Sequence, residues 1–232
     1  VILDPFKKRM GLIPLTEYDT LPYMKLEDCL DYARKYYKLK MYKKALERLY
    51  TANRLDPDCY EVKLLLGKTF NMQGNYEKAY AMFSKAIEIN SNPNVLIRRG
   101  IIALTELKDY EKAIKDFSST IKISEKNIEP YYFRGCAYFK LKQYQEAIYD
   151  FEKTVEIDSN FLLGYLNKAF TLAKLGKKEQ AIKEYKKTLR LSKKAKYKKK
   201  YNIIVPGYKE YVRETIKEVK KLLSEEGVKE DK

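Results

Sequence analysis

Small and large apolar positions return along this chain every 34 residues. Ala45, Ala79, Ala113, Ala147 and Ala181 mark the period. Three residues before four of them stands a tyrosine: Tyr42, Tyr76, Tyr110 and Tyr144. Four after come Leu49, Phe83, Phe117, Phe151 and Tyr185; seven after come Ala52, Ala86, Thr120, Thr154 and Thr188. Ten after come Leu55, Ile89, Ile123, Ile157 and Leu191. Offsets of 4, 7 and 10 fall on one stripe of a helix. A second stripe lies upstream. Twelve before each alanine stand Ala33, Gly67, Ile101, Gly135 and Ala169, and nine before stand Tyr36, Phe70, Leu104, Tyr138 and Leu172. Each unit is therefore expected to be two antiparallel helices, joined by a short turn such as Gly74-Asn75 or Gly176-Lys177. Small residues on the first helix let the second approach closely. One such hairpin cannot bury its own apolar face, so the hairpins must stack.

Two positions break the pattern. The third unit has Ile101 at the small position, with Gly100 one place early, which predicts a first helix that is rotated or bulged there. The fifth has Lys178 where the others have Tyr, which predicts a less packed turn.

The motif is small-x-x-large on the first helix, then Tyr-x-x-Ala-x-x-x-Phe-x-x-Ala on the second. The stretches Gly67 to Asn90 and Gly135 to Asp158 match it closely. In this the chain resembles the tetratricopeptide repeat family. The resemblance implies an all-α fold, a right-handed α-solenoid of antiparallel helix pairs with a C-terminal capping helix. Five repeats are expected at 26–59, 60–93, 94–127, 128–161 and 162–195. Residues 1–25, with Pro5, Pro14 and Pro22, read as an extended segment. Residues 196–207 read as a basic linker, 208–224 as the capping helix and 225–232 as a charged tail. An alternative for 208–224 is a docking helix for another chain.

The resemblance also implies a function: the inner face of each first helix lines a concave groove that holds a peptide or helix of a partner protein, commonly within a larger complex. Mapped by the 34-residue period, that groove offers Arg34, Lys38, Lys68, Asn71 and Arg98 in the first three repeats. In the last two it offers Tyr132, Phe139, Leu166 and Phe170. An acidic-then-apolar partner segment fits this gradient, with charge setting approach and apolar anchors setting affinity. The C-terminal helix covering the aromatic half is the competing expectation. Some family members grip acidic chaperone tails with a Lys/Asn carboxylate clamp. No three consecutive first helices here carry that set, so no such tail is expected to bind.

Charge adds a second candidate. The net charge is +16, of which +9 lies from Lys186 onward. Lys193, Lys194, Lys196, Lys198, Lys199 and Lys200, interleaved with Tyr197 and Tyr201, could contact RNA, tubulin tails or another polyanion.

Catalytic chemistry is not signalled. There is no histidine, and Cys29, Cys59 and Cys136 lack metal-ligand spacing. No phosphate-binding glycine loop is present. A non-enzymatic chain without cofactor is expected. An odd number of widely spaced cysteines points to a reducing, cytoplasmic-type compartment, with ciliary and nuclear locations left open. No run of apolar residues is long enough to span a membrane. The chain opens on Val rather than Met, as a piece of a longer protein would.

Overall fold

The periodic segments form helices because each offers one apolar stripe to a neighbour. The computed structural model describes residues 25–194, 208–225 and 227. Residues 1–24 and the basic positions Lys196, Lys198, Lys199 and Lys200 lie outside the described residues, as do the side chains of Lys193 and Lys194. Among the described residues eleven helices follow in order: α1 (Leu26–Lys38), α2 (Tyr42–Leu55), α3 (Tyr60–Met72), α4 (Tyr76–Ile89), α5 (Pro93–Thr105), α6 (Tyr110–Ile123), α7 (Ile128–Lys140), α8 (Tyr144–Ile157), α9 (Leu162–Lys174), α10 (Lys178–Lys194) and α11 (Tyr208–Glu225). The chain divides after Val95 into two units.

In the first unit α1 packs on α2, α3 on α4, and α2 on α3. Ala33, Ala45, Leu49 and Ala52 are buried in the first hairpin; Val62, Leu66, Phe70, Ala79, Phe83 and Ala86 in the second. Gly67 is small for a steric reason, since a Cβ there would lie 2.7 Å from the Phe83 ring. In the second unit the packing runs α6 to α7, α7 to α8, α8 to α9 and α9 to α10, with α11 against α10. Val212 of α11 is fully enclosed in a core that includes Leu172, Tyr185 and Leu189.

The small position seven after the alanine accepts threonine because the helix itself satisfies the hydroxyl. Thr120 and Thr188 donate to the carbonyls four residues back, at 3.0 and 2.9 Å, and Thr154 to that of Phe151 at 2.7 Å. The position ten after is different. Leu55, Ile89, Ile123 and Ile157 end their helices with a large part of each side chain exposed, so the stripe leaves the core one turn earlier than expected.

Each first helix ends in a left-handed residue. Lys40, Lys108 and Lys142 have φ of 59°, 55° and 61°, at the positions where Gly74 and Gly176 have 74°. The backbone N–H that follows closes on the helix, as from Gln143 to the Tyr138 carbonyl at 2.9 Å.

The third repeat keeps its helix regular and moves it by one residue. The four other first helices span 26–38, 60–72, 128–140 and 162–174, whereas α5 spans 93–105. Gly100 thereby takes the small position. A Cβ on it would meet the Phe117 ring at 2.8 Å, as one on Gly135 would meet Phe151. Ile101 is partly exposed beside it. The slip is absorbed by a turn one residue longer before α6 and a link one residue shorter before α5.

The same displacement preserves a charge pair between first and second helices. Arg99 grips Asp116 with two bonds of 2.9 and 2.6 Å, and Arg134 grips Asp150 at 2.8 and 2.7 Å. Lys168 meets Glu184 at 3.0 Å. Arg134 also reaches back to Ser118 at 3.0 Å, and Lys168 back to Glu152 at 2.9 Å. For α7 and α9 these rungs join the first helix to the second helices on both sides of it. Burial pushes the Asp116 and Asp150 carboxyls up, against the pull of their arginines.

Candidate functional site

The inner faces of the first helices place the expected groove residues in three different situations. In the first unit, Arg34 of α1 is tied down. Its guanidinium bonds Glu61 of α3 at 2.7 and 3.0 Å and also meets Asp31. The Glu61 hydrogen bond pushes the Arg34 pKa up. Its charge therefore serves the contact between two first helices. Lys38 is exposed at the end of α1, while Lys68 and Asn71 on α3 are half-buried. An open depression in this unit lies elsewhere, lined by Lys40, Met41, Tyr42, Lys43, Lys44 and Gln73 at the tips of the hairpins.

In the second unit, Arg98 is exposed, but the displacement of α5 shifts it out of the register assumed for it. Its charge acts on Glu129 of α7, whose carboxyl burial pushes up. With α5 renumbered by one residue, the carboxylate-clamp positions still do not fall on the required lysine and asparagine set.

The aromatic half converges. Tyr132, Cys136, Phe139 and Lys140 of α7, Phe151 of α8, and Asn167, Phe170 and Lys174 of α9 line one cavity of about 290 Å³. Spacing explains the convergence. Positions 5, 9, 12 and 13 of α7 and 6, 9 and 13 of α9 share one helix face, and α8 packs against both helices. Tyr132 is nearly buried and forms the floor, edge-on to Phe161 at a centroid distance of 5.2 Å. Phe139 and Phe170 are half-buried walls, braced by Tyr144 at 5.6 Å and Tyr185 at 5.4 Å. The Tyr132 hydroxyl and the Asn167 amide both direct donors at Cys136 Sγ, the amide at 3.8 Å. Burial nonetheless pushes the Cys136 thiol up to about 12. Lys140 and Lys174 close the rim as the exposed last residues of α7 and α9.

Leu166 does not reach this cavity. It is fully enclosed in the core with Leu162, Leu163 and Ala169, and has no face to give a partner. The reason is local: Phe161 through Leu166 are all buried, so α9 is covered almost all round at its start. Asn167 and Phe151 complete the lining and were not among the expected groove residues. Asn167 follows Leu166 directly, and a polar residue after six enclosed ones marks the return to an open face. No residue of α11 lines the cavity among the described residues. No helix of the described residues is long and apolar enough to cross a membrane.

Comparison with known proteins gives the following. Family models described as tetratricopeptide repeat match residues 29–97, 128–161 and 164–194. No curated protein sequence matches. Among solved structures, the chain is similar to a MamA protein at 22% identity and a TM-score of 0.70, over 73% of this chain and 92% of that one. It is similar to MamA from Desulfovibrio magneticus RS-1 at 18% identity and 0.68, over 74% and 97%. It is also similar to YrrB, described as a tetratricopeptide repeat protein with an unusual peptide-binding site, at 19% identity and 0.65, over 70% and 84%.

Proposed function

Since this chain belongs to the tetratricopeptide repeat family, we propose that it is a docking protein, holding a segment of another protein within a larger assembly. The observation that carries this reading is the cavity between α7 and α9. It is open, walled by Phe139 and Phe170, and rimmed by Lys140 and Lys174. An exposed concavity of aromatic rings with a few convergent polar groups is the usual form of a recognition site. Aromatic anchors buried at a partner's centre supply most of an interface's affinity. YrrB shares the fold and has a peptide-binding site, which supports a peptide as the occupant here. A reducing compartment is part of the same proposal, and the three free thiols are in keeping with it. No reaction is assigned to it.

The test is site-specific crosslinking. A photo-crosslinking phenylalanine analogue at position 139 of the full chain should join it to one defined segment of a partner in native extract. The same analogue at Tyr149, which is exposed on α8 away from the cavity lining, should not. Equal labelling from both positions, or none from 139, overturns the reading.

A further inference from the structure

Taken separately, the groove's charge and its rings suggest a partner segment that is acidic in one part and apolar in another. The structure puts the two features in one place. Building on the docking reading, we infer that the cavity between α7 and α9 takes a single aromatic side chain whose near neighbours in the partner are aspartate or glutamate.

Size sets the first part. A cavity of about 290 Å³ has room for one large side chain and the main chain beside it. The walls set its kind. Phe139, Phe170, Tyr132 and Phe151 present ring faces and edges, which receive another ring edge-to-face or offset.

Charge sets the second part. None of the eight lining residues is acidic, and two are lysines. Several cations on the helix-to-helix contacts are matched within the fold: Arg34 by Glu61 and Asp31, Arg99 by Asp116, Arg134 by Asp150, and Lys168 by Glu152 and Glu184. Lys140 and Lys174 have no carboxylate partner among the described residues, and both stand at the mouth of the cavity. Each also ends a helix, whose C-terminus carries roughly half a negative charge. A full positive charge exceeds that, so the mouth stays attractive to anions. Two separated cations suit side-chain carboxylates on both sides of the anchor better than one chain terminus. The Asn167 amide, held only by a weak bond to sulfur, lines the same cavity as the rings and the lysines and can hydrogen-bond the anchor's main chain.

The experiment selects a phage-displayed library of random dodecapeptides against the full chain, and in parallel against Lys140→Glu/Lys174→Glu and Phe139→Ala. Both lysines are exposed, so the charge-reversed protein should keep its fold, checked by circular dichroism. The expected result with the unaltered chain is a consensus with one aromatic residue and Asp or Glu within two positions of it. Charge reversal should replace that acidic preference by Lys or Arg and keep the aromatic. It should also weaken the original consensus peptide roughly tenfold or more, with the loss shrinking in high salt. A consensus lacking acid, or acidic preference surviving the charge reversal, overturns the inference and leaves docking standing. Peptides that bind equally well to Phe139→Ala overturn the placement in this cavity. A selection that enriches nothing counts against docking itself.

Discussion

Lys40, Lys108 and Lys142 hold a backbone conformation that glycine adopts freely and an L side chain does not. The left-handed region costs a residue with a Cβ about 1–2 kcal/mol. Glycine's larger unfolded-state freedom returns roughly 0.5–1 kcal/mol of that. Lys142→Gly should therefore raise stability by about 0.5 kcal/mol in urea denaturation, and Gly74→Ala should lower it by about 1 kcal/mol. Cys136 tests burial at the cavity. A thiol pushed up to about 12 holds on the order of a thousandfold less thiolate at pH 8 than a free one. Its alkylation by iodoacetamide in the folded chain should be slower by about that factor. The sign for stability follows. From about pH 9 to about 12 the unfolded chain releases a proton that the folded chain keeps. Stability gained from the protonated thiol is full below that window and is lost as pH rises through it. A Cys136→Ala variant should lack that part of the alkaline decline.

At the scale of helices, the rungs and the displaced α5 make separate expectations. Asp150 is enclosed with Arg134 across it, so Asp150→Asn strands a buried guanidinium and should cost about 3–5 kcal/mol. Replacing both partners by apolar residues of similar volume should cost far less. For α5, Gly100→Ala should cost about 1–3 kcal/mol, because the new methyl meets the Phe117 ring, while Ile101→Ala should cost clearly less. The reverse order would place Ile101 in the contact. Most helix positions were legible in sequence, because Ala45 to Ala181 and the residues around them repeat without a gap. The displacement of α5 was half legible. Gly100 was visible as an early small residue, but whether the helix bulges or moves depends on turn length, which carries no apolar signal. Leu166 was misplaced because the period gives a position on a helix and not how many neighbours enclose it. The uninterrupted apolar run from Phe161 to Leu166 held that information.

Over the whole chain, stability should be graded, since each hairpin leans mainly on those beside it. Within the second unit the enclosed rings and aliphatics gather around α7, α8 and α9, where Phe151, Phe161, Leu162, Leu163 and Leu166 are almost wholly buried. Amide hydrogen exchange should be slowest there and faster in α11. The cavity opens from this rigid part, so its walls are set before a partner arrives, and less binding energy goes into ordering them. Charge behaves differently from shape at this scale. The large net positive value does not locate the candidate site; two lysines at the mouth of a cavity whose lining holds no acidic residue do.

The one-residue displacement of α5 also ranks what the molecule can spare. Lengthening a turn is cheap, with each doubling of a loop adding only about 0.6 kcal/mol. Separating a buried charge pair is several times more expensive. Between Thr105 and Tyr110 the first was spent to keep Arg99 on Asp116 and Gly100 on Phe117. Hairpin tips are thus where added residues should be tolerated, and a tag or short insertion after Leu107 should leave folding nearly intact, whereas one inside α5 should not.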